Sequence, residues 1–222
     1  MALSIARGPP LESEPGLGST TLTGFLREIT TAHADREAMT FREGSGEFVR
    51  LTYRDMWQQS MRIARALIAS GVGKDTRVGL LATNRPEWVV AMFGIALTGG
   101  TCVALSSFAT VSELEQQLRL ADVSLLFFER SVANHDFAAD LLSLCPELRS
   151  SSVGELQSQR LPYLRGVIQI DGDPNVPGIT SWSRFLELAA RTPEQLVNAM
   201  AAEIAPADLC LLYTSPSPRD CS

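Results

Sequence analysis

Residues 75–105 read DTRVGLLATNRPEWVVAMFGIALTGGTCVAL. Two short apolar runs, RVGLLA at 77–82 and TCVAL at 101–105, flank a longer segment that opens on Pro86 and closes on Gly99-Gly100. Neither run alternates apolar with polar residues. Continuous apolar runs are the pattern of strands covered on both faces, and the 17-residue segment NRPEWVVAMFGIALTGG between them has the length and start signal of a crossover helix. A strand–helix–strand unit of this kind predicts a parallel sheet, which decides the fold class as α/β.

The alternation continues downstream. TVSELEQQLRLAD predicts a helix, with Ser112 as a possible cap and Glu113 and Glu115 on a solvated face, and VSLLFF predicts another buried strand. A helix over 134–144 ends at Pro146, a Ser-rich irregular stretch runs from 147 to 164, GVIQI is a strand, and helices cover 182–190 and 193–202. Upstream, TLTGFLREITTAHAD predicts a first helix with Leu22, Phe25, Leu26 and Ile29 on one face. Strands at 38–41 and 48–51 surround the turn-rich EGSGE. Thr52 and Asp55 form a capping box for a second helix, whose Trp57, Met61, Ala64 and Ile68 share a face before Gly71 stops it. There is no internal repeat.

The totals bound the function. The chain has 222 residues, 45% of them hydrophobic and 20% charged, enough for one sizeable core. A net charge of −6 without a Lys/Arg cluster argues against nucleic acid as a partner. Lys74 is the only lysine, against eighteen arginines. Cys102, Cys145, Cys210 and Cys221 lack zinc-site spacing and are expected to be reduced, mostly buried thiols. The start, MALSIARGPPLESEPGLG, has no apolar core of signal-peptide length, and the longest apolar run, Trp88 to Leu97, is ten residues. These features set the expectation of a cytoplasmic protein with no transmembrane segment; they imply no oligomeric state.

Candidate sites are few. GVGKDT at 71–76 fails as a phosphate loop, because Ile68 stands where the first glycine is needed and Asp75 where Ser or Thr should follow the lysine. TNRPE at 83–87 contains no glycine, which excludes a dinucleotide fingerprint. That turn is still the best local candidate: it follows a strand, where open α/β sheets bind ligands, although Asn84 as a helix cap answered by Glu87 explains it structurally. His33 and His135 stand away from any nucleophile signature and suit surface or cap roles.

The ordered set LTYRDM (51–56), residues 75–105 above, SELEQQLRLADVSLLF (112–127), LPYLRGVIQID (161–171), SWSRFLE (181–187) and APADLCLLYTS (205–215) resembles the front part of the adenylate-forming enzymes of the acyl-CoA synthetase and ligase (AMP-binding) family. The resemblance spans residues 22 to 209; VALSSF at 103–108 departs from the Pro-Leu-Asn type sequence of many relatives. It implies a mostly parallel sheet flanked by helices, forming an incomplete amino-terminal adenylation domain over 21–209 after a flexible leader at 1–20. For the parent enzyme it implies a small-molecule carboxylic acid, ATP, Mg²⁺ and CoA: the carboxylate attacks the α-phosphate, releasing pyrophosphate, and the CoA thiol then displaces AMP from the acyl-adenylate.

The family's glycine-rich phosphate loop would open at Thr214-Ser215, but Pro216 and Pro218 follow. Proline has no N–H and a fixed φ, so these residues cannot form a cradle of donors. The family's carboxyl-terminal lysine is also lacking. No catalytic, cofactor-binding or metal-ligating residue is therefore assigned within the chain, and none of the parent's cofactors is expected to bind productively. Residues 210–220, CLLYTSPSPRD, further resemble a translated sequencing-library adapter, so 210–222 is expected to be an artefactual tail. Two alternatives stand beside this reading: a natural noncatalytic interaction protein derived from half a ligase, and a Rossmann-type oxidoreductase suggested by the strand–helix alternation alone.

Overall fold

A computed structural model describes residues 10, 18–42, 46–132, 135–152 and 154–213. Its centre is a six-stranded parallel sheet in the order β10-β4-β3-β5-β8-β9, built from β3 (Arg77–Leu81), β4 (Thr101–Ala104), β5 (Leu125–Phe128), β8 (Gly166–Gln169), β9 (Ile179–Ser181) and β10 (Leu211–Tyr213). An antiparallel pair, β1 (Glu37–Arg42) and β2 (Phe48–Thr52), stands apart, as does the two-residue pair β6 (Ser131–Val132) and β7 (His135–Asp136).

The direction of each crossover explains which face each helix covers. From β3 the chain passes through α3 (Pro86–Leu97) to β4 on one side; from β4 it returns past β3, through α4 (Val111–Leu120), to β5. With constant right-handedness, reversing direction must put the helix on the opposite face. The packing agrees. Val90, Ile95 and Leu97 of α3 pack in one core with Val78, Leu80 and Phe127, whereas Leu114 and Leu118 of α4 pack in the other with Leu81, Leu126 and Phe128. The chain continues in the same direction to β8 and so keeps α5 (Phe137–Leu144) on the α4 face. The return from β9 to β10 brings α6 (Trp182–Glu187) and α7 (Glu194–Ala202) to the α3 face, beside α1 (Leu22–Ala32) and α2 (Tyr53–Ala69).

Within the sheet, successive residues face opposite cores, so β5 needs an apolar residue at every position, and all four are buried. Phe127 is fully buried against the edges of Trp182 and Phe185, with ring centroids 5.4 and 5.1 Å away. Burial of one such ring contributes about 1.5–3 kcal/mol. The α2–α3 contact is close enough to require a glycine: a Cβ on Gly94 would lie 2.7 Å from Cγ2 of Ile63. Gly71, at φ +84°, ends α2 in the left-handed region as the sequence indicates.

Several local expectations need correction. Of the predicted face of α1, Leu26 is fully buried and Leu22 and Ile29 pack against the same core, but Phe25 is 46% exposed, and Thr23 and Thr30 are buried in its place. Thr110, not Ser112, caps α4, its hydroxyl accepting from the Glu113 N–H and its own N–H donating to the Glu113 carboxylate. Helix α5 starts at Phe137, capped by Asp136; of the residues expected before it, Asn134 lies outside the described residues. The capping box at Thr52 and Asp55 forms as read. No helix among the described residues is long and apolar enough to cross a membrane.

Candidate functional site

Strands β3 and β5 are neighbours, yet the connection leaving β3 heads for β4 while that leaving β5 heads for β8. The two carboxyl ends therefore face a crevice at the point where the winding reverses, the usual ligand position in open α/β sheets. Both sides of that crevice carry polar groups. Thr83, two residues past β3, donates from its N–H (2.9 Å) and its hydroxyl (2.7 Å) to one carboxylate oxygen of Glu129, which directly follows β5. The other Glu129 oxygen lies 3.4 Å from Nη1 of Arg85.

Arg85 is held from its second side by Glu87, through Nε at 2.8 Å and Nη2 at 3.2 Å. Burial works against its charge, but Glu87, Glu129 and Asp171 outweigh burial and hold its pKa above the ordinary arginine value. Beyond β8, Asp171 accepts a 2.7 Å hydrogen bond from the Arg130 N–H and so ties in the third loop. Two carboxylates, Glu87 and Glu129, thus hold the guanidinium of Arg85, and a third, Asp171, holds the backbone N–H of Arg130. The Thr83 and Arg85 donors at this crevice are committed to carboxylates. Chemically, the arrangement is a clamp that fixes the loops after β3, β5 and β8.

The expectation for TNRPE changes accordingly. Arg85, not Asn84, is the N-cap residue of α3, and no side chain caps that helix. Glu87 does not answer a cap; it grips Arg85. Asn84 is exposed at the crevice mouth. Sequence reasoning missed Glu129 altogether, because its partner Thr83 is 46 residues away and only the adjacency of β3 and β5 brings them together. The available signal was an acidic residue immediately after a fully apolar strand.

His33 follows the last turn of α1, and His135 stacks on Phe137 (4.4 Å between centroids) and contacts Asp140. Lys74 lies before β3, at the opposite end of the sheet from the clamp, and is bound to Asp208 at 2.8 Å. Cys102 and Cys145 are buried free thiols, and Cys210 is exposed. Burial pushes the Cys102 thiol up to about 12. Among the described residues no group of three or more His, Cys, Asp or Glu side chains could hold a metal ion. Glu87, Glu129 and Asp171, the carboxylates nearest the crevice, are engaged by Arg85, Thr83 and Arg130, so this donor set does not fit Mg²⁺.

A doubly wound parallel sheet with its crevice at the β3/β5 reversal defines the class as an open α/β fold. Residues 26–217 match the family model described as AMP-binding enzyme, and the chain belongs to that family. Its match runs past residue 209, to within the stretch expected to be a tail; β10, at 211–213, pairs in register with β4. The chain is 31% identical over 161 residues to a mitochondrial medium-chain acyl-CoA ligase, ACSF2, of Danio rerio, covering 72% of this chain and 26% of the relative. It is 27% identical over 216 residues to the acyl-CoA ligase sidI of Aspergillus fumigatus, covering 97% and 34%. In fold it is similar to a Mycobacterium tuberculosis fatty acyl CoA synthetase, with a TM-score of 0.62 at 19% identity over 88% of this chain and 33% of that one. The N-terminal domain of FACL13 from the same organism gives a TM-score of 0.61 at 20% identity, covering 88% and 42%. The chain spans between about a quarter and a third of the length of these curated relatives.

Proposed function

We propose that this chain is the amino-terminal part of an ATP-dependent carboxylic acid–CoA ligase, one that forms an acyl-adenylate and then an acyl-CoA, and that the chain does not catalyse that reaction by itself. The observation that carries the second half is the placement of cationic and donor groups. Adenylation needs positive charge and N–H donors where charge builds up on the phosphate oxygens. The only lysine, Lys74, is at the far end of the sheet and paired with Asp208. The crevice donors at Thr83 and Arg85 are bound to carboxylates. After Tyr213 the sequence Thr214-Ser215-Pro216-Ser217-Pro218, outside the described residues, offers two residues with no N–H. Losing one preorganised donor typically costs roughly 10²–10³ in rate, so the loss of several removes the activity.

In the same proposal, residues 21–209 are the native portion of an adenylation domain, 1–20 a leader and 210–222 an artefactual tail. ATP, Mg²⁺, CoA and a carboxylic acid belong to the parent. A cytoplasmic location is part of the proposal, supported by the free thiols of Cys102 and Cys145. The gene tests it. Genomic DNA across codons 205–222 is expected to diverge from this sequence near codon 210 and to continue into a glycine-rich loop and, later, a lysine. Genomic DNA that encodes Pro216 and Pro218 followed closely by a stop would overturn the proposal in favour of a natural half-ligase.

A further inference from the structure

A groove of about 560 Å³ lies at the amino ends of β5 and β8, between the end of α2 and the α6 segment, at the opposite end of the sheet from the clamp. Its floor is apolar, with Leu125, Ile168 and Phe185 all nearly or fully buried. Its polar lining includes Arg165 and Arg191. Elsewhere arginines such as Arg50, Arg54, Arg77, Arg85 and Arg160 are paired with carboxylates. Neither groove arginine meets a carboxylate among the described residues; Arg165 makes only a 3.4 Å contact from Nη1 to the carbonyl of Leu164.

No Asp or Glu lines the groove, although the chain carries a net charge of −6. Thr180 also lines the groove and is 5% exposed. Its register opposite Ile168 puts it on the same sheet face as the apolar floor. The end of α2 does not oppose an anion here, since the carbonyls of Ala66, Leu67 and Ile68 are already taken by the N–H groups of Ser70, Val72 and Gly71.

We propose that this groove binds an amphipathic anion: a hydrocarbon body over Leu125, Ile168 and Phe185, with a single carboxylate or phosphate head on Arg165 and Arg191. A polyphosphate is disfavoured because it would bury charge over an apolar floor. The proposal does not rest on the adenylation reaction.

The test is calorimetric titration of the whole 222-residue chain with dodecanoate, dodecyl phosphate and dodecanol, each below its aggregation concentration. Saturable one-to-one binding of at least one anion is expected, the tighter of the two identifying the head group, with dodecanol at least about tenfold weaker. Arg165→Ala/Arg191→Ala is expected to weaken binding about tenfold or more, in keeping with charge-assisted hydrogen bonds. Both arginines are exposed, so the variant should keep the wild-type circular dichroism. An independent readout uses Trp182, whose ring centroid is 5.7 Å from that of Phe185: in Trp57→Phe/Trp88→Phe protein, 12-bromododecanoate should quench its fluorescence saturably. Absent binding, equal binding of dodecanol, unchanged affinity in the arginine variant, or no quenching would each overturn the assignment.

Discussion

Glu129 shows how one carboxylate can hold a sheet end together. It accepts from the Thr83 N–H and hydroxyl and faces Arg85, with only 17% of its side chain exposed. Glu129→Ala removes three partners at once and leaves a half-buried guanidinium supported by Glu87 alone. Urea unfolding should show a loss of about 1–3 kcal/mol; a change below about 0.5 kcal/mol, typical of neutral surface substitutions, would contradict the clamp. Cysteine reactivity is also decided by surroundings. With its pKa near 12, Cys102 is about one part in 10⁴ thiolate at pH 8, whereas Cys210 is exposed. Mass spectrometry after brief iodoacetamide treatment of the native chain should find Cys210 modified and Cys102 intact; early labelling of Cys102 would mean that β4 is not packed as described.

Among the elements, α2 and α3 depend on Gly94. An added methyl would meet Ile63 at 2.7 Å and the Ser60 carbonyl at 3.1 Å, so both helices must separate or repack. Gly94→Ala should cost about 1–3 kcal/mol despite the better helix propensity of alanine; a stabilised variant in thermal unfolding would show that the contact is loose. Long elements were the legible ones. The box at Thr52 and Asp55, the stop at Gly71, and the continuous apolar runs of β3, β4 and β5 are all local signals, and each marks its element. Short pieces were not legible. Strands β6 and β7 have two residues each and β9 has three, too few to show a period; β6 and β7 are extended by pairing with each other and β9 by pairing with β8. The cap of α3 was misread although its signal is local: the helix starts at Pro86, and the residue before a proline is held in the extended backbone of a cap residue, so Arg85 takes that place.

For the whole molecule, the order of strands follows from the crossovers, and those could be read as an α/β alternation without knowing which strands are neighbours. The clamp could not, since it requires β3 beside β5. The family was legible because its segments keep their order along the chain, and the match over 26–217 bears that out. At one edge of the sheet, β10 pairs with β4, and its Leu211 and Tyr213 are 44% and 74% exposed. The charges complete the picture, with the single lysine at one end of the sheet and carboxylates occupying the crevice donors at the other. The most direct measurement of that arrangement is ATP–pyrophosphate exchange by the purified chain, with Mg²⁺ and a panel of aliphatic and aromatic carboxylic acids. No exchange above the protein-free blank is expected with any acid; robust acid-dependent exchange would contradict the account.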